Sequence, residues 1–301
     1  KGFTWLYMKT KLENLGYNVS QDIISPTDFN IPQTRKRFYI LGSLDKKPIK
    51  WPIAEENRNI TVNDILIENP IKIKRLNKQK KEVLNIWNNF LSQIPNKNEI
   101  YSPLWSMEFG ATYPYKETTP KEMKLKDLHK YKGKFGVSFK NMSREEILNN
   151  LPNYSKVNTK TFPDWKIRMI RRTREFYNKN KKWIDKLIPK LINLKFEAYQ
   201  KLEWNCQGEK FNFTKKIISF RGSGVRIRRN HSSPTLISGS TTQIPYLAWK
   251  KRYLSIDECL KIQGFDKLKY YPKAIDRFYP AIGNAVNVKV VSKIAKNLFT
   301  V

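Results

Sequence analysis

The sequence predicts an α/β fold in which these residues carry only part of the central sheet, joined to a smaller, strongly basic region of mixed α+β character. Three observations lead there. Residues 3–43 read as helix, strand, polar loop and strand, a unit too small to cover both faces of its own sheet. Residues 53–230 lose that texture and turn Lys- and Asn-rich, with amphipathic helices among irregular segments. From residue 233 short apolar segments return and end in a helix of strong apolar period.

Phe3, Leu6, Tyr7, Leu12 and Leu15 recur at helical spacing, and Gly16 stands where a glycine would close the helix. Tyr17 to Ile24 and Arg37 to Ser43 read as strands. Between them lies Pro32-Gln33-Thr34-Arg35-Lys36-Arg37, where one fixed φ precedes a short row of donors. Arg suits planar, bidentate contact with a phosphate or carbonyl, and the Gln amide both donates and accepts. Alone, the row reads equally as a solvated basic loop.

Residues 76–92 predict a helix with Val83, Leu84, Trp87, Phe90 and Leu91 on one face. Residues 93–163 alternate prolines and aromatics without period, as in Tyr101-Ser102-Pro103-Leu104-Trp105, and predict irregular structure with short strands. A helix over 164–188 follows, with Ile170, Phe176, Tyr177, Trp183, Ile184, Leu187 and Ile188 as its stripe and Pro189 as its stop. Its other face carries Arg168, Arg171, Arg172, Arg174, Lys179 and Lys182. Ser233 to Gly239 reads as a short strand, and Ser255 with Glu258 forms a capping box for a helix that Gly264 ends. Gly283-Asn284-Ala285-Val286 sits at the mouth of a terminal helix expected to bury Val286, Val290, Val291, Ile294 and Leu298.

Charge narrows the partners. The 301 residues are 40% hydrophobic yet carry a formal charge of +32, which favours a polyanion and above all nucleic acid. Residues 160–230 hold 20 basic against 6 acidic side chains. Arginines cluster there in a chain otherwise dominated by Lys, which AT-rich coding explains less well than it explains lysines. Arg171, Arg172, Arg174, Arg221, Arg226, Arg228 and Arg229 are therefore the expected DNA contacts, with Ser223 in the turn Arg221-Gly222-Ser223-Gly224. The alternative is a solvated helix face. Cys206 and Cys259 allow no disulfide framework, and His129 and His231 are too scattered for a zinc site, so no metal is implied. No transmembrane run or secretory leader is visible, which leads to the expectation of a soluble interior protein.

In order, these segments resemble the C-terminal part of the DNA (cytosine-5) methyltransferases. The resemblance rests on a Pro-Gln-x-Arg-x-Arg segment at Pro32 to Arg37 and a Pro-Thr-Leu segment at Pro234, Thr235 and Leu236. An Arg-x-Leu-Ser-x-x-Glu…Gln-Gly-Phe segment follows at Arg252, Leu254, Ser255, Glu258, Gln263, Gly264 and Phe265, then Gly-Asn-Ala-Val at Gly283 to Val286. The resemblance implies a partial S-adenosylmethionine-dependent, Rossmann-like methyltransferase sheet in residues 1–52. It also implies a target-recognition domain and hinge in 53–282, and a terminal helix, 283–301, returning to the catalytic domain. It further implies transfer of a methyl group from S-adenosylmethionine to a flipped-out cytosine in double-stranded DNA, within a restriction-modification system. Arg37 would hold the base carbonyl, Arg35 would cradle the pocket and Gln33 would support the loop. Gly283, Asn284, Ala285 and Val286 would border the cofactor, and Thr235 would contact DNA.

The departures matter as much. The family nucleophile lies in a Pro-Cys pair, whereas Cys206 follows Asn205 and Cys259 follows Glu258. Its cofactor glycines and its Glu-Asn-Val acid have no counterpart either. The expectation is a chain that is silent alone and needs an N-terminal catalytic half, from the same gene or a separate subunit; Lys1 in place of Met favours truncation. A stand-alone, sequence-specific DNA-binding protein without catalysis is the alternative.

Overall fold

The computed structural model describes residues 2–45, 47–56, 58–71, 73–95, 100, 102–237, 244–272 and 274–299. Tyr101 and the Ser238-Gly239 end of the expected strand lie outside them. The chain forms two compact units. The first comprises residues 1–74, 230–245 and 252–301, and the second 75–229 and 246–251. Compact packing thus divides the chain elsewhere than at residues 52 and 282.

In the first unit the predicted helix forms over Phe3–Asn14, but it buries no residue. Phe3 is 86% exposed, Leu6 61% and Leu15 70%, so the expected apolar stripe has no core beneath it. Asn18–Ile24 and Arg37–Ser43 pair antiparallel as a two-stranded sheet, running from Asn18 opposite Ser43 to Ile24 opposite Arg37. Gln33–Thr34 pairs parallel with Ser233–Pro234. Ile24, Phe29 and Ile31 form a small core with Val290 and Ile294 of the Val288–Phe299 helix. Val286 and Val291, expected inside, are exposed.

The Ile256–Gln263 helix carries the predicted capping box and ends on Gly264 in the left-handed region at φ +79°. A side chain there would also crowd Val288 Cβ at 3.2 Å. Gly283 and Asn284 do not open the terminal helix. They close the preceding one, Ile275–Asn284, which runs through Pro280. The terminal helix starts at Val288 behind Asn287, whose Oδ1 accepts from the Val290 amide at 3.3 Å.

The second unit is built on a mixed sheet. Its strands lie in the order Tyr246–Leu247, Ile217–Arg221, Gly224–Arg228, Lys201–Asn205, Leu104–Trp105. The Lys78–Ser92 helix buries all five predicted residues, Val83, Leu84, Trp87, Phe90 and Leu91. The Asp164–Ile184 helix buries Ile170, Phe176, Tyr177 and Ile184. It stops short of the predicted end, and Pro189 instead lies in the first turn of a further short helix, Ile188–Ile192. Residues 104–162 contribute Trp105, Tyr113, Leu128, Phe139 and Ile147 to a compact cluster although they form little regular structure.

Candidate functional site

In the first unit the residues singled out from sequence converge on one turn. Gln33 is fully buried and Arg35 is 4% exposed, so neither belongs to a solvated loop. Arg35 Nη1 donates to Leu236 O at 3.0 Å, and Nη2 donates to Gly283 O at 2.9 Å and Ala285 O at 2.8 Å. One guanidinium therefore ties the Gln-x-Arg-x-Arg segment to the Pro-Thr-Leu segment and to the Gly-Asn-Ala-Val turn. Burial first, and then the charge of Arg37, pulls this guanidinium below its ordinary pKa.

Neighbouring polar residues brace the same turn. Gln263 Nε2 donates to Ile282 O at 2.8 Å, and Asn287 Nδ2 donates to Ile262 O at 2.9 Å. Arg252 grips Glu258 through both terminal nitrogens at 2.7 Å, while Glu258 also accepts from the Ser255 and Ile67 amides at 2.8 and 3.0 Å. Burial opposes ionisation of Glu258, but Arg252 and the two amides outweigh it and hold the carboxyl below its ordinary pKa. Thr235, expected on DNA, donates its hydroxyl to Thr34 O at 2.9 Å and so locks the short parallel pairing.

What stays open is equally specific. Arg37 is exposed, and its Nη1 meets only the adjacent Lys36 carbonyl, at 3.0 Å, among the described residues. Asn284 and Val286 face solvent while the carbonyls of Gly283 and Ala285 turn inward to Arg35. The Gln33 amide is buried with neither Nε2 nor Oε1 partnered among the described residues, at a cost of about 1–3 kcal/mol per group.

In the second unit the basic residues divide. Arg221, Arg226 and Arg228 share one face of the sheet, since Arg226 lies opposite both Ser219 and Glu203, and Arg221 lies opposite Gly224. Burial first, and then Arg226, lowers the pKa of both Arg221 and Arg228, the mark of cations crowded together. Glu203 accepts from Arg226 and from Ser223 Oγ, the latter at 2.9 Å. Arg229 turns to Glu209 at 2.6 Å. Arg171 and Arg172 lie exposed on their helix, and Arg171 lines a cleft of about 670 Å³ with Lys116, Lys132 and Lys181.

Arg174 has different work. Its Nε donates to Glu108 Oε2 at 2.9 Å, and its guanidinium lies 4.4 Å from the Tyr113 ring centre and 4.7 Å from that of Tyr115. The Tyr113 and Tyr154 hydroxyls donate to the other oxygen of Glu108. Burial first, and Glu108 second, pushes both phenols well above their ordinary pKa. Arg174 thus serves the interior of the unit. The sequence holds a sign of it: Ile170, Thr173, Arg174 and Tyr177 share one helical face. Glu108, an acid inside an aromatic run, gives no comparable sign.

Both cysteines are buried, and burial raises their thiol pKa values, that of Cys259 strongly. Among the described residues no cluster of three or more His, Cys, Asp or Glu could hold a metal, and no helix is long and apolar enough to cross a membrane.

Comparison with known proteins meets this geometry. The profile of the C-5 cytosine-specific DNA methylase family matches residues 1–300. Type II methyltransferase M.BanI of Aneurinibacillus aneurinilyticus is 26% identical over 330 residues, covering 99% of this chain and 67% of its own. The tRNA (cytosine(38)-C(5))-methyltransferase of Homo sapiens is 22% identical over 96% of this chain and 65% of its own. Among solved structures, the S. pombe Dnmt2 methyltransferase aligns over 99% of this chain and 62% of that one, at 16% identity and a TM-score of 0.38. The chain therefore spans about two thirds of the length of these relatives. With its profile match extending over residues 1–300, the chain belongs to the C-5 cytosine-specific DNA methylase family.

Proposed function

We propose that these residues form the target-recognition and pocket-wall portion of a DNA (cytosine-5) methyltransferase of a restriction-modification system, acting on double-stranded DNA in the cytoplasm. The observation that carries this reading is the Arg35 tie, which brings the donor row and the Gly-Asn-Ala-Val turn to one place from opposite ends of the chain. Arg37 is the donor left free to meet the carbonyl of a flipped cytosine. Arg35 is a positioning residue, because its donors are spent on three backbone carbonyls. Asn284 and Val286 offer the exposed side chains that would border S-adenosylmethionine, which supplies the methyl group when bound. They form one edge of such a site.

The attacking thiolate comes, on this reading, from polypeptide outside these 301 residues. Supporting this, neither cysteine follows a proline, and both are buried with raised pKa values, the opposite of an activated nucleophile. The exposed apolar side chains of the Phe3–Asn14 helix form a surface that such a segment would cover. Arg221, Arg226, Arg228 and Arg171 supply the charge for the DNA backbone.

The test is complementation. A second polypeptide bearing the Pro-Cys and Glu-Asn-Val segments is supplied in cis or in trans with labelled S-adenosylmethionine and either DNA or tRNA. Label on DNA cytosine is expected. In the reconstituted enzyme, Arg37→Ala should lower turnover by at least about 10²-fold while duplex affinity stays within about tenfold. No transfer to DNA cytosine with any pairing, or unchanged turnover in the variant, overturns the reading.

A further inference from the structure

A second concave, basic site lies on the opposite face of the second unit's sheet from the arginine row. This cleft, of about 800 Å³, is lined by Ile218. Side chains alternate along a strand, so Ile218 faces away from Ser219 and from Arg226, which pairs with Ser219. Its walls come from the Lys78–Ser92 helix, from residues 212–215 and from the Ala248–Lys250 turn with Lys251.

The lining has a consistent chemistry. Arg75, Lys81, Lys215 and Lys251 bring four cations, all exposed, and the lining contains no carboxylate. The backbone at both Lys215 and Lys251 is left-handed, at φ +57° and +51°, a conformation that side-chain-bearing residues enter only at a cost. Asn85 and Asn88 add two amides on the helix face that carries Lys81, and Asn212 adds a third from the facing loop. Phe213 and Trp249 contribute half-buried rings, and the Trp249 indole N–H is buried without a partner among the described residues.

We propose that this cleft binds single-stranded nucleic acid, with phosphates on the four cations and an unpaired base against Phe213 or Trp249. A basic groove interleaved with aromatic rings is the arrangement that holds unpaired strands with little sequence preference. A cleft of this volume admits a nucleotide or two and is too narrow for a duplex about 20 Å across, an estimate from groove and helix dimensions. A duplex lying along the arginine row would leave this opposite face free, so the two sites would engage separate stretches of nucleic acid. The inference rests on the reading of this unit as nucleic-acid-binding.

The test uses the full 301-residue chain and fluorescein-labelled dT12, with a labelled duplex in parallel. Lys81→Glu combined with Lys215→Glu should weaken dT12 binding at least tenfold and leave duplex binding within threefold. The dependence of log affinity on log salt should flatten by about 1.4, because two phosphates are no longer neutralised. Phe213→Ala, which leaves the charge untouched, should weaken dT12 at least threefold without altering that slope. Circular dichroism checks that each variant is folded. The proposal is overturned if wild type does not bind dT12, if the charge variant binds it unchanged, or if duplex affinity falls equally. A chain that binds dT12 through this cleft but no duplex overturns the reading of the arginine row as a duplex site and leaves this one standing.

Discussion

Replacing Arg35 with methionine keeps most of the side chain's length and removes its donors, leaving the carbonyls of Leu236, Gly283 and Ala285 without that partner. A hydrogen bond to a charged group is worth about 1.5–3 kcal/mol. Two of the three share Nη2, so counting two independent contacts gives about 3–6 kcal/mol. Two units make a global midpoint ill-defined, so the loss is best read by hydrogen exchange on peptides covering residues 282–290. At 1.4 kcal/mol per decade, exchange should accelerate about 10²- to 10⁴-fold. Arg37→Met, at the exposed end of the same row, should stay within about 0.5 kcal/mol of wild type. Unchanged protection in the Arg35 variant, or equal loss in the Arg37 variant, would refute the division between positioning and contact residues.

Other expectations concern the frame. Glu108→Gln leaves the Arg174 charge uncompensated in the interior and should cost the second unit about 3–5 kcal/mol, visible as a lowered urea midpoint in the fluorescence of its buried tryptophans. Gly224 has φ +145°, and an added Cβ would meet Lys201 Cβ and O at 3.0 Å, so Gly224→Ala should destabilise the same unit by about 2 kcal/mol, measured alike. Glu258 has a depressed pKa in the folded state. Its contribution is present above its ordinary value of 4.5 and is lost as pH falls through the lower folded value. Acid titration of the first unit followed by hydrogen exchange should show that loss, and Glu258→Gln should remove that component.

Helices were legible where burial obeys the period. Val83, Leu84, Trp87, Phe90 and Leu91 announce their helix because one packed face suffices to place it. The Ser255–Glu258 box and Gly264 were legible because caps are local chemistry. Around residue 284 the signals compete. The sequence places the helix mouth at Gly283-Asn284, yet the preceding helix continues through Pro280 to Asn284 and Asn287 takes the capping role. The Phe3–Asn14 helix was legible but its exposure was not, since the spacing of apolar residues says nothing about what covers them. The candidate site was legible as a set of segments, while the roles within it were not. Arg35 and Arg37 look alike in sequence, and only packing gives one three carbonyls and leaves the other open.

The reach of the Arg35 tie also bears on how the chain folds. Its three partners lie 201, 248 and 250 residues downstream, and the first unit is assembled from three separated stretches. During synthesis, residues 75–229 emerge as a nearly continuous stretch before the last two stretches of the first unit. The first unit must wait with one end exposed until residue 285 leaves the ribosome. Refolding should therefore be biphasic, with the second unit early and the Arg35 anchorage among the last events.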